Sequence, residues 1–237
     1  HKRRGNYTTL PQHPDMLTKA KHHDEARHLI QKELDDLFYQ RTRFTLWMGA
    51  TFVPFLALLD YLLVPAFFWL FFSWRIGFAL LILVLLHQLR RQAVRVYTRE
   101  IMFGAMLLCS LTITLMTVKL GGFTSGYYVG ILLSIVGAFS ILPLRILESM
   151  LLGGSMYLIY ASCNLLASWP LDPPALDAMI GNSFFFLTMI AVITAQCYDE
   201  IRMYCGTLLT QKNLQTINQE LKKHTDNLEQ LIEQRVL

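Results

Sequence analysis

Residues 178–198, AMIGNSFFFLTMIAVITAQCY, carry no charged side chain. As a helix they are about 30 Å long, the thickness of the hydrocarbon core of a bilayer. Asp199, Glu200 and Arg202 follow at once. From residue 214 onward, Leu214, Ile217, Leu221, Leu228 and Leu231 recur at alternating steps of three and four, with His224 in the seam position between Leu221 and Leu228. That is heptad spacing with one polar seam residue. No Pro or Gly interrupts the run after Gly206, and the sequence ends inside it without a stop signal. The reading is a membrane span that continues, over 199–237, into a coiled coil leading to an effector domain expected beyond residue 237. The stripe is too narrow to bury against a globular surface, so the expected partner is a second copy in parallel, His224 facing His224.

Working outward, the same apolar character recurs upstream. The chain is 54% hydrophobic and 16% charged, which places it among integral membrane proteins. Six spans are expected, at about 44–63, 74–92, 101–118, 127–144, 149–166 and 178–198, within a sensor domain over 44–198. Pro54 lies inside the first and reads as a tolerated kink. The aromatics of 65–72 suit an interfacial belt or re-entrant turn. Starting the second span at Ala66 would bury Arg75 deep in lipid, so its expected start is near Arg75. Before the first span, residues 1–15 read as a flexible tail. Residues 16–43 read as an amphipathic helix at the membrane face, with Leu17, Leu29, Ile30, Leu34, Leu37 and Phe38 at helical spacing. The expected fold is therefore an all-α six-helix transmembrane bundle with an N-terminal amphipathic helix and a C-terminal coiled-coil helix.

Arg and Lys placement orients the bundle. Arg41 and Arg43 precede span one, Arg90, Arg91, Arg95 and Arg99 separate spans two and three, Arg145 separates four and five, and Arg202 follows six. The alternate connections hold only Arg75 and Lys119. Both termini are expected in the cytoplasm of a multi-pass inner-membrane protein. The outer connections are short, so a stimulus has to be read within the membrane or at its outer edge. The net charge of +4 arises from these flanking residues and does not indicate a nucleic-acid partner.

Chemistry-bearing motifs are sparse. There is no phosphate-binding loop, no H-E-x-x-H, no G-x-S-x-G and no kinase or cyclase signature. Cys109, Cys163, Cys197 and Cys205 lack metal-ligand spacing and read as free thiols. His22, His23 and His28 read as a solvated face rather than a metal site. His87 alone lies near a span, at its cytoplasmic end, which disfavours a haem held between helices. No internal repeat of a transporter is visible, and the span glycines read as helix-packing positions. No cofactor is expected in this region. Asp60 and Arg75 fall at one outer level on successive spans and read as a structural ion pair. Tyr127, Tyr128, Asn164, Trp169, Asn182 and Phe185 read as the lining of an outward pocket for a small amphiphilic ligand, with inter-helix hydrogen bonding as an equal alternative. Glu148 reads as a neighbour of Arg145.

The loop Gly121-Gly122-Phe123-Thr124-Ser125-Gly126-Tyr127-Tyr128-Val129-Gly130 resembles the G-G-x-x-S-P-Y-Y-x-G loop of six-helix N-terminal sensor regions, with Gly126 where that pattern has Pro. Such regions occur on bacterial membrane sensor histidine kinases and on some class III adenylate cyclases. The tail over 228–237 is similar to the signalling helix that precedes their catalytic domains. The resemblance covers about residues 25–237. It implies a parallel homodimer embedded in the bilayer, a histidine kinase as the first choice of effector and a cyclase as the second, and ATP as the effector's substrate. A transporter or haem protein is the alternative of a different class. The resemblance assigns no binding residues.

Overall fold

The computed structural model describes the backbone of residues 14–236 and the side chains from 31 onward, with 93, 231, 233, 235 and 236 excepted. The described residues are mostly helical and contain no strand. Eight α-helices follow one another: α1 Pro14–Phe55, α2 Ala57–Leu63, α3 Phe68–Leu89, α4 Gln92–Arg95, α5 Thr98–Lys119, α6 Tyr128–Phe139, α7 Ile146–Ala167 and α8 Pro173–Val236. Five helical stretches are long and apolar enough to cross a membrane, at Gln31–Leu63, Pro65–Leu89, Thr98–Lys119, Ile146–Ala167 and Pro173–Gln230, and Tyr128–Phe139 is a shorter apolar helix. These helices suit a membrane-embedded helical bundle.

The chain divides into two compact units, 1–36 and 37–237. Of the first, the helical backbone from Pro14 is described, and the side chains of His22, His23 and His28 lie outside the described residues. The expected tail over 1–15 likewise falls almost wholly outside them. The helix begun at Pro14 does not stop at residue 43, because no Gly or Pro follows Pro14 until Gly49, and the helix carries on through that glycine to Pro54. Proline supplies no N–H and crowds the preceding turn. The helix is interrupted at Leu56 and resumes as α2, with Leu56 N still bonded to Phe52 O at 3.0 Å.

Within the second unit α5 is central. It packs against α7 and α6, and also against α3, which pairs with α2, while α8 packs on α7 and α6. The core joins Ile82 and Leu86 of α3, Met102 and Met106 of α5, Ile131 and Ile135 of α6, Met156 and Tyr160 of α7, and Phe186 and Ile193 of α8. At Gly153 an added Cβ would stand 3.0 Å from Ile190, so the missing side chain lets α8 approach α7 closely.

Three boundaries differ most from the sequence expectation. α3 begins at Phe68, through a 3₁₀ turn over Pro65–Phe67, rather than near Arg75. Arg75 therefore lies within the helix, and the reason it is tolerated there is its pairing with Asp60, described below. α6 ends at Phe139 instead of 144, and the chain runs without helix through Leu142 and Leu144, both fully buried. α8 starts five residues early, at Pro173, where proline suits a helix's first turn and Asp172 Oδ1 accepts from Ala175 N at 3.2 Å.

Candidate functional site

The distinctive loop joins the end of α5 to the start of α6. After α5 the backbone turns through Gly121 at φ 105° and Gly122 at φ 66°, left-handed values that favour glycine. An added Cβ on Gly122 would lie 2.7 Å from Ser168 Oγ at the end of α7. The turn drives Phe123 into the bundle, 2% exposed and edge-on to Tyr160 at 5.7 Å. Asn182 of α8 donates to Phe123 O at 2.8 Å and to Tyr160 Oη at 2.9 Å. Asn164 of α7 donates to Thr117 Oγ1 of α5 at 3.2 Å and to Tyr160 O at 2.8 Å. Tyr128 and Phe186 close the cluster, their rings 6.4 and 5.1 Å from that of Tyr160. The glycine loop thus fastens α5, α7 and α8 together at one end of the bundle.

Of the six residues expected to line a pocket, Tyr128, Asn164 and Asn182 do converge, but on Tyr160 and in a packed cluster. Both asparagines are buried, and their amides make hydrogen bonds that join α5, α7, α8 and the Phe123 turn. Trp169 and Phe185 stay outside it, 74% and 55% exposed. Tyr127 faces elsewhere. Tyr160, which organises the cluster, escaped the sequence reading because an uncharged tyrosine in an apolar span carries no signal of its own.

Tyr127 belongs to the second polar group. Arg75 Nε and Nη2 donate to Asp60 Oδ2 and Oδ1 at 2.6 and 2.9 Å, and Tyr127 Oη donates to Asp60 Oδ1 at 2.8 Å. Asp60 is fully buried and Arg75 nearly so. A bidentate pair with a third donor compensates a carboxylate far from water. It ties α2, α3 and the start of α6.

Further ion pairs join helices at the opposite, arginine-rich end. Arg41 of α1 bonds Glu200 of α8 and donates to Ile141 O at 2.8 Å. Arg99 of α5 bonds Glu148 of α7, and the same carboxylate accepts from Arg145 N at 3.0 Å, capping the helix. Glu148 is therefore a link between helices as well as the neighbour of Arg145. Arg99 also stands 5.1 Å from the Phe38 ring, and Arg95 stands 4.5 Å from that of Tyr39.

Beyond Lys212, every described side chain of α8 is exposed. Leu214, Ile217, Leu221 and Leu228 are each more than half exposed and share one stripe with His224, also exposed. Leu231 continues the helix, its side chain outside the described residues. The described residues hold no cluster of His, Cys, Asp or Glu fit for a metal ion, and the four cysteines are unpaired. Comparison with protein families, curated proteins and solved structures returns no match.

Proposed function

We propose that this chain is the membrane receptor and transducer region of a bacterial signalling enzyme. It reads a membrane-accessible stimulus and passes it through α8 and a parallel coiled coil to a downstream effector, a histidine kinase by first choice and a class III adenylate cyclase by second. The observation that carries the reading is α8 itself. One unbroken helix, Pro173–Val236, runs from an apolar stretch packed in the bundle to a stripe of exposed leucines at heptad spacing. A rigid helix moves as a unit, so a shift of its bundle end is felt at the stripe. Arg41 and Glu200 grip it where the two parts meet.

In this reading both termini are cytoplasmic in the inner membrane. The sixth crossing is made by α6 with the segment 140–145, of which Leu142, Pro143 and Leu144 are buried, since non-helical backbone at membrane depth is tolerated where protein covers it. Exposed apolar stripes need a partner, and a second copy leaving the membrane on the same side supplies it without a loop. His224 weakens that seam while setting its register, which leaves it open to bias between two packings.

The test uses the full-length protein in its membrane. Cysteines placed singly at Leu221 and Leu228 should crosslink copy to copy, and His224→Leu should hold the effector in one output state whatever the stimulus. Absence of crosslinks at both positions, or a His224→Leu protein that responds like the parent, overturns the reading.

A further inference from the structure

A cleft is lined by α1, α2, α3, α5 and α6. One chamber of about 570 Å³ lies beside the Asp60–Arg75 pair, and a second of about 370 Å³ extends toward the arginine-rich end. Val53, Leu56, Phe78, Cys109, Leu133 and Ser134 line both, so the chambers adjoin. On α5 the lining runs from Met102 to Met116, about 21 Å of helix. That exceeds the roughly 15 Å depth of a single leaflet's hydrocarbon.

The polar groups on the wall are already engaged with the protein. Arg75 and Tyr127 are bonded to Asp60, Thr112 Oγ1 donates to Leu108 O, Ser134 Oγ donates to Gly130 O, and Cys109 Sγ contacts Ser134 Oγ at 3.7 Å. What remains to meet an occupant is mostly hydrocarbon. The rim is hydrocarbon too: Leu59, Leu63, Val129 and Leu133 are about half exposed or more. A cleft whose wall is mostly aliphatic, whose one charged side chain is already paired with Asp60, and which opens sideways through apolar residues, suits a molecule whose head stays outside.

We infer that this cleft seats one acyl chain of a bilayer phospholipid. The chain enters between Leu59 and Leu133, lies along α5, and leaves its head group at the membrane surface. Because α1 also carries Arg41, which holds Glu200 of α8, the presence and length of that chain bear on the transmitting helix. This last step rests on the transducer reading above, whereas the binding itself does not.

The full chain is reconstituted in phosphatidylcholine vesicles containing a phosphatidylcholine with a mid-chain diazirine, and the positions labelled on illumination are read by mass spectrometry. Label should concentrate at Met106, Cys109 and Leu133 over Leu151, Leu158 and Leu187, which are well exposed on α7 and α8. Two variants fill the cleft. Leu133→Trp acts at an exposed position, and Gly137→Leu acts where an added Cβ meets nothing within 4 Å. Each should lower cleft labelling at least about tenfold, equivalent to losing the burial of roughly two methylene groups, while labelling on α7 and α8 stays constant. Even labelling over all exposed leucines, or unchanged labelling in both variants, overturns the inference. So does displacement of the label by free palmitate at equal mole fraction, which would make the occupant a diffusible amphiphile. Crosslinking at Leu221 is followed in parallel, so that loss of dimer is told apart from loss of lipid.

Discussion

Removing one partner of the Asp60–Arg75 pair should damage this protein more than removing both. Asp60 has no exposed surface and Arg75 is 7% exposed, so neither charge is rescued by water once its partner is gone. Breaking a buried pair from one side costs about 3–5 kcal/mol, while replacing both partners with packed apolar side chains is often neutral. Asp60→Leu and Arg75→Met should each fall in that range. The combined Asp60→Leu, Arg75→Met protein should come within about 1–2 kcal/mol of the parent. Tyr127 sharpens the test, because its hydroxyl donates to the same carboxylate. Tyr127→Phe should cost about 1.5–3 kcal/mol in the parent, as for a hydrogen bond to a charged group, and much less once Asp60 is gone. The measurement is unfolding of the purified chain in mixed micelles of dodecyl maltoside and rising dodecyl sulfate, taken as a double-mutant cycle. Equal losses in all three Asp60 and Arg75 variants, or losses that simply add, would refute the argument that the charges compensate each other.

Other consequences are as direct. Asn182→Ala leaves Phe123 O and Tyr160 Oη without their donor in a buried site, and should cost about 2–3 kcal/mol in the same titration. Gly122→Ala must hold a left-handed backbone and a Cβ 2.7 Å from Ser168 Oγ; a loss of about 1–3 kcal/mol is expected, partly recovered by Ser168→Gly. Arg41→Gln should change stability by under about 1 kcal/mol, since both members of its ion pair are partly exposed, yet amide exchange over 199–206 should quicken because α8 loses its grip on α1.

How far the sequence reaches can be judged from particular residues. The uncharged run over 178–198 and the heptad leucines beyond it mark a long helix, because helical periodicity and hydropathy are local properties of the chain. The same holds for the apolar character of the other long helices. The glycines of the 121–122 turn are visible, and so are Asp60 and Arg75 as charges in apolar surroundings. Nothing local says that α3 starts at Phe68, because the helix tolerates Arg75 only through a carboxylate fifteen positions away in the chain and a tyrosine on a third helix. Tyr160 becomes the centre of a cluster only when α7, α8 and the glycine turn meet. The cleft beside α5 has no residue signature at all, since it is made of ordinary aliphatic side chains and is defined by where helices fail to touch. Local free energies chose the helices. Which buried polar atoms found partners, and which apolar walls were left facing a gap, depended on packing between segments far apart in sequence, and only the tertiary structure decided it.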